Sequence, residues 1–166
     1  MNYKTCLFAL LLCAASVAVA ETKEYTVLGN QKIKAKAQDG MPLPAAKDGV
    51  TIQGAGFALG EGKLIWSFDF ISRRAPTRVL VEDISGPSAI VLVEDSAPKR
   101  EGSRWSGGAA PVELSRVGCP WLYEPGNTTK VFRFTVALKG KAEPVVIHQP
   151  AIYTAETKRQ LQQMVR

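Results

Sequence analysis

The chain has 166 residues, with 21 Lys and Arg against 15 Asp and Glu, one His, three Cys and a net charge of +6. Two cysteines lie within the first twenty residues, so residues 21–166 keep Cys119 and His148 alone. That excludes an internal disulfide, a Cys-x-x-Cys redox pair and zinc ligation of the Cys/His type. The basic excess comes without a reader motif, which argues against nucleic acid as a partner.

Residues 1–20 read as a cleaved secretion signal: Lys4, the apolar run Leu7 to Ala15, then the small-residue ending Ala18-Val19-Ala20. The run is shorter than the ~18 residues needed to span a bilayer, so no membrane span is expected after cleavage. Cys13 follows Leu11-Leu12, whereas a lipoprotein signal places a small residue before its cysteine; the signal is therefore read as non-lipidated. The expected location is periplasmic or secreted. What remains suits a single domain, with N-terminal strands and a proline-containing connector over 21–49 and the rest of the domain over 50–166.

Tyr25 to Leu28 is a short predicted strand. Lys32-Ile33-Lys34-Ala35-Lys36-Ala37 alternates charge with apolar residues as an edge strand does. Gln38 to Asp48, with Pro42 and Pro44, reads as a connector. Residues 50–59 form a strand in which Gly54 and Gly56 mark a bulge or a close backbone approach, and Gly60-Glu61-Gly62 turns the chain back. Leu64, Trp66, Phe68 and Phe70 then fall on one face of a strand, with Ile65, Ser67 and Asp69 on the other. Asp69, on the outward face, is read as solvated or ion-paired.

Val79-Leu80-Val81-Glu82-Asp83 recurs as Val91-Leu92-Val93-Glu94-Asp95 around the turn signal Ser85-Gly86-Pro87-Ser88. An antiparallel hairpin with Ile84 opposite Ala89 sets Arg78 opposite Asp95. It also separates the two acidic pairs by about 13 Å, too far to share one calcium ion. All four acids read as solvated strand ends. Phe132, Phe134, Val136 and Leu138 line one face of a further strand, and Val145 to His148, bounded by Pro144 and Pro150, suits an edge strand with His148 facing solvent or a neighbour. From the N-cap Thr154 a helix is predicted over about 155–165, with Leu161, Met164 and Val165 as its apolar seam. With a doubtful strand at Val112 to Arg116 the count reaches eight or nine. The expected fold is all-β, an antiparallel immunoglobulin-like β-sandwich with a short C-terminal helix, a β-barrel being the alternative.

Ser96 to Thr129 is the least regular stretch, and irregular loops on compact domains often carry function. It holds Arg104, Trp105, Trp121 and Tyr123, the candidate residues for a partner or ligand, because aromatic and arginine side chains offer rigid area with a polar handle. Trp121, beside Cys119 and Pro120, reads rather as a cover of the core, Trp105 equally as contact or core, and Cys119 as a buried, inert thiol. Asn127-Thr128-Thr129 fits a glycosylation triplet but is read as a turn. No catalytic motif, cofactor or metal site is expected. The function expected is non-catalytic binding of a protein partner in the cell envelope or periplasm, through this region or an open sheet edge. A glycan or small-ligand module using the loop aromatics is the alternative, and a hydrolase with an unrecognised carboxylate pair is third.

Overall fold

The computed structural model describes residues 21–39, 44–60, 63–108 and 119–163. Among them are twelve strands: β1 (Thr22–Val27), β2 (Gln31–Lys36), β3 (Gln38–Asp39), β4 (Ala45–Lys47), β5 (Val50–Gly60), β6 (Lys63–Ser72), β7 (Pro76–Asp83), β8 (Ile90–Asp95), β9 (Lys99–Glu101), β10 (Arg104–Gly108), β11 (Thr128–Leu138) and β12 (Val145–Tyr153). Two helices accompany them, α1 (Pro120–Tyr123) and α2 (Ala155–Gln163). Neither is long and apolar enough to cross a membrane. The secretion signal and the doubtful strand at 112–116 lie outside the described residues.

Two five-stranded sheets, ordered β4-β5-β6-β10-β9 and β3-β12-β11-β7-β8, face each other, and β1 and β2 form a separate hairpin. Each sheet ends on two distinct strands, so the architecture is a sandwich rather than a barrel. Its pairing is antiparallel apart from the two-residue contact of β3 with β12. Period-two alternation decides the core. Phe68 and Phe70 of the first sheet, and Phe132, Phe134 and Val136 of the second, point into one cluster, with Phe68 meeting Phe134 edge-on at 6.2 Å. The side chains of Leu64 and Trp66 lie outside the described set.

Three readings of the sequence need correction. Asp48-Gly49 closes a two-residue hairpin between β4 and β5, with φ of 49° and 80°, so the supposed connector holds strand structure. Positive φ at both central residues defines the turn that Asp-Gly favours, because its twist matches the flanking strands. Pro150 does not stop β12, which runs on to Tyr153. Val131, opposite Pro150, sends its N–H to Ser85 Oγ (2.7 Å) and accepts from Ile84 N (2.9 Å), so the ladder asks no bond of the proline there. In the β7–β8 hairpin a register shift between Val81 and Glu82 places Asp95 opposite Val79, and Arg78 pairs with Glu94 instead, at 2.5 Å.

The bulge suggested by Gly54 does occur, between Ile52 and Gly54. The β1–β2 hairpin is tied on where Leu28 N donates to Ile84 O, over a small cluster of Val27, Ile84 and Val131.

Candidate binding surface

The predicted site residues are distributed over two elements. Ser96 to Thr129 is less irregular than its composition implies, for it contains the β9–β10 hairpin and α1; residues 109–118 lie outside the described set. Trp105 on β10 stands directly across from Phe70, which puts it on the inward face, where it packs partly against the core. Arg100 covers the ring from β9, its guanidinium 5.6 Å from the centroid. Arg104 points the other way and meets Asp69 at 3.6 Å, so Asp69 is an ion-paired group, as read.

Trp121 and Tyr123 belong to α1. Trp121 packs against the core at 4.8 Å from the Tyr153 ring, with the Lys130 ammonium 5.5 Å above it. It covers the core end, the second of its two readings. Tyr123 stays 37% exposed. Cys119, just before α1, is 2% exposed; burial pushes its thiol up, against the opposing charge of Lys130. A thiol held protonated is a poor nucleophile.

The sequence reading missed the devices that fix α1. Lys158 of α2, 2% exposed, donates to Glu124 O (2.8 Å), Thr128 Oγ1 (2.9 Å) and Trp121 O (3.4 Å). Gln162 Nε2 donates to Leu122 O at 2.7 Å. These donors satisfy carbonyls that a four-residue helix leaves open at its C-terminal end. α2 begins as predicted, with Thr154 Oγ1 accepting from Thr157 N. Leu161 packs on the core, while Met164 and Val165 lie outside the described residues.

Glu82 and Asp83 are a further correction. Rather than solvated strand ends, they are buried and paired, Glu82 with Arg133 and Asp83 with Lys130, each at 2.8 Å. β7 lies between β8 and β11, so a carboxylate at its end meets cations from β11 rather than water. Burial and the Asp83 charge together hold the Tyr153 phenol above its ordinary range.

β8 ends its sheet, paired to β7 on one side only. Near its start Ile90 and Val91 are 61% and 56% exposed. They and Tyr123 are the large hydrophobic side chains left most open among the described residues. In class this is an antiparallel β-sandwich in which, among the described residues, the apolar start of the edge strand β8 is left exposed. No family model, curated protein or solved structure matches the chain.

Proposed function

We propose that the chain is an exported, non-catalytic binding module whose partner is a protein of the cell envelope or periplasm, held along the free edge of β8. The observation that carries this reading is the exposure of Ile90 and Val91 on a strand that ends its sheet. The outer side of an edge strand carries backbone N–H and C=O groups that can accept another strand, and natural proteins usually guard such edges with charge or proline. Here the start of the edge is aliphatic. A partner adds an extended segment, its main chain continuing the ladder and its own apolar side chains covering Ile90 and Val91. The non-catalytic part is supported by the uses already made of the reactive groups: Glu82, Asp83 and Asp69 are held in ion pairs, and Cys119 is buried at the start of α1.

The test is affinity capture of the tagged chain from the envelope fraction of cells that express it, beside Val91→Lys. A stoichiometric protein recovered with the parent chain and lost with Val91→Lys, at unchanged melting temperature, is the expected result. Recovery unaffected by the substitution removes β8 from the reading. Recovery of polysaccharide alone transfers the function to Tyr123 and the partly buried Trp105 and Trp121, and recovery of further copies of the same chain makes the edge a self-association surface.

A further inference from the structure

β4 ends the first sheet, β12 lies near the end of the second, and both β4 and β2 approach β12 at the side of the sandwich. Between them runs a groove of about 460 Å³. Lys34 and Lys36 of β2, Lys47 of β4 and His148 of β12 line it, and among the described residues no carboxylate does. Two acids that adjoin these lysines in the strand pairing or in sequence are occupied elsewhere. Glu24 stands directly across from Lys34, yet its carboxylate pairs with Lys32 at 3.4 Å. Asp48, next to Lys47, pairs with Lys141 at 3.1 Å. Among the described residues Lys34, Lys36 and Lys47 therefore hold no ion pair, unlike Lys32, Lys130 and Lys141. Three lysines around one concavity focus a positive potential more effectively than the same charges spread over a convex surface.

We propose that this groove binds a phosphate group carried on a small organic ligand. Lysine offers a compact point charge with three donors, suited to an anion that presents oxygens in several directions. The apolar part of the lining, including Ala45 and Val146, leaves room for the ligand's body, and the volume lies within the ordinary range of small-molecule sites. This groove is separate from the β8 edge. It is also separate from the Lys99, Arg100 and Arg104 group, which sits at the opposite edge of the first sheet.

His148 is the chain's only histidine, so its imidazole signals in a proton NMR spectrum are unambiguous reporters from inside the groove. It faces Arg133 across the ladder and Lys47 on β4, both cations, and shares the groove lining with the two β2 lysines. Inorganic phosphate and phenyl phosphate are titrated into the full chain at fixed ionic strength, with chloride as the matched control. Both phosphates are expected to shift the His148 signals to saturation and to raise its pKa, phenyl phosphate saturating at the lower concentration. Lys34→Gln and Lys47→Gln should each weaken binding by about fivefold, while Lys99→Gln leaves it unchanged. All three side chains are exposed, so the variants keep the fold, and melting temperature checks this. A shift that stays linear or matches that of chloride, or saturation that survives in both groove variants, overturns the proposal.

Discussion

Lys158 brings a charge into the interior from a helix that is otherwise polar and largely exposed, and what it meets there is a set of backbone and hydroxyl oxygens. Replacing it with Met preserves the stem and strands those acceptors, which should cost about 1–3 kcal/mol in urea denaturation. The same change loosens α1, so Cys119, which resists a thiol reagent in the native parent chain, should label faster. Equal labelling rates in the two proteins would show that α1 stands without its clamp. Gly107 is a second case in which one atom decides. A Cβ there would lie 2.7 Å from Phe68 Cζ, and that ring is buried against Phe70 and Phe134 and has no room to swing. Gly107→Ala should therefore destabilise by about 1–3 kcal/mol; an unchanged denaturation midpoint would mean that the two sheets separate easily at this point.

Among the elements, the β4–β5 hairpin depends on its turn. Gly49 sits at φ 80°, in the left-handed region that a side chain disfavours. Gly49→Ala should cost about 1 kcal/mol, whereas Asp48→Asn, which suits the same turn, should be close to neutral for the backbone. Because β4 carries Lys47, loss of the hairpin would remove one wall of the basic groove as well. An Asp-Gly pair between two short runs was a readable signal; the prolines before it drew the reading toward a connector. The core strands were legible for the opposite reason. Phe68 and Phe70, and Phe132 to Leu138, alternate with polar or small residues over a long enough run that only one face can be buried.

For the molecule as a whole, pH sensitivity runs through His148. Burial, then Arg133 and Lys47, hold its pKa below the ordinary histidine value. The unfolded chain therefore binds the proton first, and stability should fall as the pH drops below about 6.5. His148→Gln should lose less stability than the parent chain over that interval. The comparison is made by urea denaturation at several pH values, and parallel losses would remove His148 as the cause.

Sequence alone determined the β class, the inward rows of the long strands and the capped C-terminal helix, because each is a local pattern whose period or cap needs no distant partner. It also read Cys119 as buried from its apolar neighbours, and offered Trp121 both as a candidate contact and as a cover of the core. Only the tertiary structure decided that Trp105 faces inward across from Phe70, that Glu82 and Asp83 are buried ion pairs, and that a buried Lys158 joins Leu161 in anchoring α2. The same holds for the groove, whose three lysines come from two hairpins, and for the exposed edge at Ile90 and Val91. The pentapeptide shared by β7 and β8 gives no sign of which copy ends the sheet, since strand order is set by contacts far apart in the chain.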